Sequence, residues 1–151
     1  MQIIIVETYV KASLEQCFDA ARDIELHQKT VWPHTHEEAI AGITRGLIEL
    51  DQTVTFRATH FAIRQTLTSK ITDFHRPYRF TDSMQKGAFK YLKHIHEFEE
   101  QANGTLMKDT LQFQSPYGFI GLIFDALILN QYMKKFIIDR NQQLKIILES
   151  Q

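Results

Sequence analysis

Residues 107–121 read MKDTLQFQSPYGFIG, and the hydrophobic period of the sequence changes at Ser115-Pro116. Before the proline, apolar and polar side chains alternate, as they do in a strand with one buried face. After it, apolar residues recur every three to four positions for roughly 30 residues, which predicts a long amphipathic helix. The stretch therefore predicts a strand that leads directly into a long closing helix.

The residues upstream of this stretch predict one strand, two short helices and then a series of strands. Residues 3–10 are rich in β-branched side chains, which favours a strand. Ser13 and Gln16 have the spacing of a capping box, which predicts the start of a helix. Asp23 predicts a second short helix, which ends at Trp32-Pro33.

Six strand-like runs separated by short breaks come next, and short breaks favour antiparallel neighbours. The Asn103-Gly104 pair is a strong hairpin signal between the last two runs. The chain is therefore predicted to be an α+β protein, with a curved antiparallel sheet of about seven strands wrapped around the long C-terminal helix. The runs are residues 37–50, 53–61, 63–74, 78–84, 89–100 and 105–113.

Size and composition predict a single domain over residues 1–151. A hydrophobic fraction of 44% is enough for a core, and a formal charge of −1 without a basic block makes nucleic acid an unexpected partner. The single cysteine, Cys17, cannot form an internal disulfide, which fits the predicted cytoplasmic location. The apolar run 118–129 contains Asp125, and Lys134 follows too soon for a membrane span.

The run 89–100 shows which side chains face the interior, because side chains alternate between the two faces of a strand. Lys93 and Glu97 share one face, and their charges indicate that this face meets water. His94 and His96 are therefore predicted to point inward. The same test on the other strands, with the apolar positions of the closing helix, gives the inward set: Phe56, His60, Phe80, Asp82, Met84, His94, His96, Phe98, Met107, Asp109, Leu111, Phe113, Ile123 and Leu127.

The polar members of the inward set need partners, because a buried polar group without one costs about 1–3 kcal/mol. The turn at Asn103-Gly104 joins the strand of His94 and His96 to the strand of Asp109, so a His–Asp contact across this hairpin is predicted. Apolar walls with a few placed polar groups are typical of a small-molecule pocket.

The order of elements, together with ARDIELH (21–27), GAFKYLKHIHEF (87–98) and MKDTLQFQSPYGFIG, resembles the START and pollen-allergen superfamily, also called SRPBCC proteins. The likeness covers nearly the whole chain and is greatest to bacterial members described as polyketide cyclase-like or ligand-binding. It implies a helix-grip fold with a cavity for a hydrophobic small molecule between sheet and helix. Relatives include lipid carriers, hormone receptors, cyclases and hydratases, so the fold does not choose among functions.

The favoured hypothesis is a non-catalytic protein that binds a hydrophobic, partly polar small molecule such as a lipid, polyketide or isoprenoid. The inward set would line its cavity, Trp32 would lie at the mouth, and no cofactor or metal is expected. Three alternatives stay open: an enzyme that uses a His/Asp pair on a carbonyl substrate, a polar set that satisfies itself in a packed core, and a protein-interaction module. A metal held by the His-x-His pair with His60 or Asp109 is disfavoured, and the oligomeric state is not predicted.

Overall fold

A computed structural model describes residues 1–151, and its elements follow the predicted order. The strands are β1 (Gln2–Val10), β2 (Glu38–Gly42), β3 (Thr53–His60), β4 (Ile63–His75), β5 (Arg79–Lys86), β6 (Tyr91–Gln101) and β7 (Gly104–Gln114). The helices are α1 (Leu14–Ala21), α2 (Ile24–Thr30), α3 (Gly118–Phe124) and α4 (Asn130–Glu149), with a short 3-10 turn at Pro33–Thr35.

The seven strands form one antiparallel sheet in the order β1-β7-β6-β5-β4-β3-β2. Strands β2 to β7 each lie beside their neighbour in sequence, whereas β1 pairs with β7 and forms the opposite edge. α3, a π-helical segment at Asp125–Leu129 and α4 form one continuous helix over residues 118–149. The predicted α+β architecture and the long closing helix are confirmed.

Local sequence explains where the first two helices begin. The side chain of Ser13 accepts from the backbone N–H of Gln16, whose own side chain accepts from the backbone N–H of Ser13. Asp23 accepts from the backbone N–H of Leu26 and so caps α2. Each cap satisfies backbone donors that the first turn of a helix leaves without intrahelical partners.

The core has two parts, one against the C-terminal end of the closing helix and one against its middle. Phe18 of α1 is the centre of the first, with edge-to-face contacts to Phe74, Phe80 and Phe98 at 5.3–5.5 Å between ring centroids. Phe113 of β7 is the centre of the second part, which the helix covers. Cys17 packs in the first part and is buried.

The predicted strand at 37–50 is too long, because only Glu38–Gly42 is a strand. The backbone of Gly42 has a φ of 72°, and a Cβ at this position would lie 2.2 Å from the carbonyl oxygen of Thr53. Gly46 also has a positive φ, of 80°, so the chain leaves the sheet between these two glycines. The irregularity in the β2–β3 pairing lies between Ala39 and Ala41 rather than at a glycine.

The first half of the closing helix contacts the sheet less than its apolar sequence predicts. Gly121, Asp125 and Leu129 are buried and form a narrow stripe with a spacing of four. Ile123 and Leu127 lie outside this stripe, with exposures of 45% and 73%, and their predicted place facing the interior is corrected accordingly. No helix has both the length and the hydropathy that crossing a bilayer requires.

Candidate functional site

Strand register brings four polar side chains together on the inward face of the central strands. In the pairing of β5 with β6, Asp82 lies directly opposite His94. In the pairing of β6 with β7, His96 lies directly opposite Asp109. Residues opposite one another in an antiparallel pair point to the same face, so the two histidines and the two carboxylates share one surface.

These four side chains form a continuous hydrogen-bonded chain. Nε2 of His94 lies 2.7 Å from Oδ1 of Asp109, and Nε2 of His96 lies 2.9 Å from Oδ2 of Asp82. Nδ1 of His96 lies 3.3 Å from the same Oδ1 of Asp109, and the two imidazole rings stack with centroids 3.7 Å apart. The His–Asp contact predicted across the β6–β7 hairpin is confirmed, and His96 additionally bridges both carboxylates.

The closing helix supplies a fifth member of this group, which the sequence did not identify. The side-chain amide of Asn141 donates to Oδ2 of Asp109 over 2.7 Å and to Oγ1 of Thr8 over 3.2 Å. The sequence feature that could have indicated Asn141 is its position in the apolar stripe of α4, between Ile137 and Leu144. Asp82, His94, His96, Asp109 and Asn141 are called the inner polar cluster below.

Burial and hydrogen bonding shift the pKa values of the ionisable members of the inner polar cluster. Burial opposes ionisation of both carboxylates, but hydrogen bonds from the histidines outweigh it, holding the pKa of Asp109 well below 3.8 and lowering that of Asp82. Burial also lowers the pKa of His94, and the neighbouring His96 lowers it further. For His96, bonds to both carboxylates outweigh burial and raise its pKa above 6.5. These directions favour two carboxylates, an imidazolium at His96 and a neutral His94.

Solvent reaches part of the inward face. The side chain of Asp82 is 29% exposed and that of His94 is 16% exposed, although both lie on the concave side of central strands. Among the strands, α4 packs most extensively against β1, at the far edge of the sheet. The crevice behind His96, toward Arg140 on α4, is too narrow to hold a water molecule. Solvent therefore reaches the inward face on the side of Asp82 and His94.

The structure divides the predicted inward set into three groups. Residues that solvent reaches are Phe56, His60, Asp82, Met84 and His94. Residues packed in the interior are Phe80, His96, Phe98, Met107, Asp109, Leu111 and Phe113. Ile123 and Leu127 lie on the surface.

An aromatic group lies where the β3–β4 hairpin meets the closing helix. Nδ1 of His60 is 2.6 Å from the hydroxyl of Tyr132, and the ring of Phe61 lies 4.4 Å from the ring of Tyr132. Trp32, predicted at the cavity mouth, contacts Tyr132 and Phe136 edge-to-face and donates from Nε1 to Asp139. His60, Phe61, Trp32, Tyr132 and Phe136 are called the aromatic rim below.

A second polar pair lies near the start of β2. Nε2 of His27 is 3.2 Å from Oε1 of Glu37. Burial opposes ionisation of Glu37, but His27 outweighs it and lowers the pKa of the carboxyl. The second oxygen of Glu37, Oε2, is buried without a partner. No sequence pattern indicates this pair, because the two residues belong to different elements.

The inner polar cluster contains ligand types that suit a transition metal. One ligand atom from each of Asp82, His94 and His96 lies within 4.8 Å of the others. Of the two further ligands considered from the sequence, His60 is bonded to Tyr132, and Asp109 is bonded to His94 and paired with His96. The expectation of no metal stays a prediction.

No protein-family model and no curated protein matches the sequence. Among solved structures, TTHA0849 from Thermus thermophilus has a TM-score of 0.79 at 16% identity, over 99% of this chain and 98% of that one. Ara h 8.0201 has a TM-score of 0.71 at 13% identity, over 99% of both chains. The chain has the helix-grip fold. The major latex-like protein 151 from Panax ginseng matches it with a TM-score of 0.69 at 10% identity, over 97% of both chains.

These comparisons confirm, at the level of fold, the resemblance to the pollen-allergen type of helix-grip protein. The identities are low, and one fold supports many functions. The function of this helix-grip protein must therefore be argued from its own residues.

Proposed function

We propose that this protein binds a hydrophobic, partly polar small molecule between the inward face of β3–β6 and the closing helix. The observation that carries the proposal is the exposure of Asp82 and His94 on the concave side of the sheet. A self-satisfied packed core would exclude solvent from both side chains. Solvent access at this depth instead supports a space that a ligand can fill.

The walls of this space suit an apolar ligand. Phe56 on β3, Met84 on β5 and Leu92 on β6 are partly buried and belong to inward-facing positions. Apolar surface removed from water contributes about 25 cal/mol per Å², so a ligand that covers these side chains gains affinity from burial. The inner polar cluster would meet the polar part of the ligand and fix its orientation.

A cavity-filling variant tests where the ligand binds. Met84→Trp places a large side chain in the proposed space, whereas Gln85→Trp places the same side chain on the exposed outer face of β5. We expect the neutral dye Nile red to bind wild type and Gln85→Trp with similar affinity, and Met84→Trp weakly. If Met84→Trp binds the dye as tightly as wild type does, the proposed site is wrong.

Native mass spectrometry identifies the natural ligand if the protein is purified from its own host. A retained small molecule should be present on wild type and on Gln85→Trp. The same mass should be absent from Met84→Trp when the three proteins are purified in parallel.

The geometry of His94 favours a second candidate, an enzyme that abstracts a proton. Asp109 fixes the ring of His94 through Nε2, and Nδ1 makes no hydrogen bond within the protein. A neutral histidine oriented by a carboxylate is the arrangement of a general base. His94→Gln retains a donor to Asp109 and removes the base, so an enzyme would lose turnover of the identified ligand but still bind it. Unchanged turnover would exclude this role for His94.

A further inference from the structure

The polar atoms that the open space presents to a ligand are mostly acceptors. Nδ1 of His94 and Oδ1 of Asp82 have no hydrogen-bond partner in the protein, and solvent reaches both side chains. Because Nε2 of His94 donates to Asp109, a neutral His94 carries a lone pair on Nδ1. Oδ1 of Asp82 accepts only, and the lowered pKa of Asp82 keeps it ionised.

The inward face of β3–β6 offers no lysine or arginine to an anionic ligand, and His96 is already paired with Asp82 and Asp109. No lysine or arginine occupies an inward position on β3–β6, and Lys93 and Lys70 lie on the outer face. The buried arginine of the closing helix, Arg140, donates to the carbonyl oxygen of Ala21 and lies behind the cluster. A carboxylate or phosphate placed beside Asp82 would meet a like charge without compensation.

We infer that the ligand carries a hydrogen-bond-donating head group, a hydroxyl or an ammonium, which binds Oδ1 of Asp82 and Nδ1 of His94. The inference rests on the proposed function and names the ligand class: an apolar body with a donor head, as in a phenol, an enol, a sterol or an aromatic amine. Fatty acids and other apolar anions are excluded. The two acceptors lie at directly paired positions on adjacent strands, so an ammonium or amino head can donate to both, whereas a hydroxyl donates its single hydrogen to one of them.

Three probes with the same apolar body and different heads test this inference at neutral pH. Naphthol donates a hydrogen bond, its methyl ether cannot donate, and naphthoate is an anion. Competition with bound Nile red measures the affinity of each probe. We expect naphthol to bind about tenfold or more tightly than the ether, because a hydrogen bond to a charged acceptor contributes that much, and naphthoate to bind most weakly.

Two variants test whether Oδ1 of Asp82 and Nδ1 of His94 cause the preference for naphthol over its ether. Asp82→Asn keeps an acceptor for His96 and removes the charge, and His94→Phe keeps a ring that can stack on His96 and removes the acceptor at Nδ1. Each should reduce the preference for naphthol over its ether severalfold. Asp73→Asn is the matched control, because Asp73 pairs with Arg79 at the surface, and it should retain the full preference.

The results can contradict the donor-head inference and the proposed function separately. If naphthoate or the methyl ether binds as tightly as naphthol, the donor-head inference is overturned while the proposed function stands. If neither Nile red nor any probe binds, the proposed function fails and the inference fails with it. Elemental analysis of purified protein gives a third outcome that overturns the inference. If wild type holds one equivalent of zinc tightly and Asp82→Asn does not, the acceptors bind a metal instead of a donor head group.

Discussion

The side-chain amide of Asn141 on α4 donates to Oδ2 of Asp109 on β7, and this bond joins the closing helix to the centre of the sheet. Oδ1 of the same carboxylate receives His94 and His96, so both oxygens of this buried group have partners. A buried carboxylate is stable only with such compensation. Asn141 is therefore expected to stabilise the fold as well as to fix the position of Asp109.

Replacing this amide should cost measurable stability. Asn141→Ala removes a hydrogen bond to a buried charge, and we expect the free energy of unfolding to fall by about 1.5–3 kcal/mol. Urea denaturation measures the loss. Gln142→Ala, at the next and exposed position, should change the free energy by less than about 0.5 kcal/mol. Equal effects of the two substitutions would show that the bond to Asp109 contributes nothing to stability.

The pairing of Asp82 with His96 should produce a bell-shaped pH dependence. Burial lowers the pKa of His96, but bonds to Asp109 and Asp82 outweigh it and raise the pKa, so this contribution is fully present below 6.5 and is lost as pH rises through the folded value. Burial opposes ionisation of Asp82, but His96 lowers its pKa, so this contribution is present above 3.8 and is lost as pH falls through the folded value.

Asp82→Asn should therefore destabilise the protein most between pH 3.8 and the raised pKa of His96, and less on either side. Urea denaturation at a series of pH values gives this profile, and NMR titration should show the pKa of His96 decreasing in the variant. Asp51→Asn, at an exposed loop position, is the control and should show no such maximum. A flat difference between wild type and Asp82→Asn would mean that the pair is not charged in the folded protein.

The β3–β4 turn contains two residues with unfavourable backbone conformations. Phe61 has a φ of 52° and Ala62 a φ of 62°, in the left-handed region that costs residues with a Cβ roughly 1 kcal/mol. Ala62→Gly should therefore raise the free energy of unfolding by about 0.5–1 kcal/mol, measured by thermal or urea denaturation. Ala102→Gly, in a turn position without a positive φ, should be neutral or destabilising. Stabilisation by both substitutions would argue against backbone strain at Ala62.

The buried Asp125 should hold the first half of the closing helix to the sheet. Its carboxylate accepts from the backbone N–H of Ser115 over 2.8 Å and from the hydroxyl of the same residue. Asp125→Ala leaves these buried donors without a partner, and we expect a loss of about 1–3 kcal/mol with faster amide exchange over residues 118–129. Hydrogen exchange with mass spectrometry measures the local effect. Gln131→Ala, on an exposed position of the same helix, should leave exchange unchanged.

The sequence was sufficient for the order of elements and for the face on which His94 and His96 lie, because alternation within one strand determines facing. The hydrogen-bond partners of these side chains were harder to predict from the sequence. Asp82 lies opposite His94 because of the register of the β5–β6 hairpin, and the connection at residues 87–90 has no turn signature that determines this register. Asn141 was missed because its partner lies on a strand far away in the sequence, and a polar residue in an apolar stripe does not reveal its contact.

The face that the closing helix turns toward the sheet could not be predicted from the sequence. The spacing of Ile123 and Leu127 is correct for an inward face, yet the helix contacts the sheet along the stripe of Gly121, Asp125 and Leu129. Periodicity identifies a helix but not the rotation at which it docks when apolar residues occupy several faces. The π-helical segment at Asp125–Leu129 also changes the rotation of α4 relative to α3.

The place of β7 between β1 and β6 affects when the proposed site forms during folding. Asp109 lies opposite Val6 on one side and His96 on the other, so it joins chain segments about one hundred residues apart. Contacts across such distances form late because the loop they close is costly in entropy. A partly folded chain would therefore lack the proposed site, and a ligand that binds only the folded site would raise its stability by an amount that grows with the logarithm of ligand concentration.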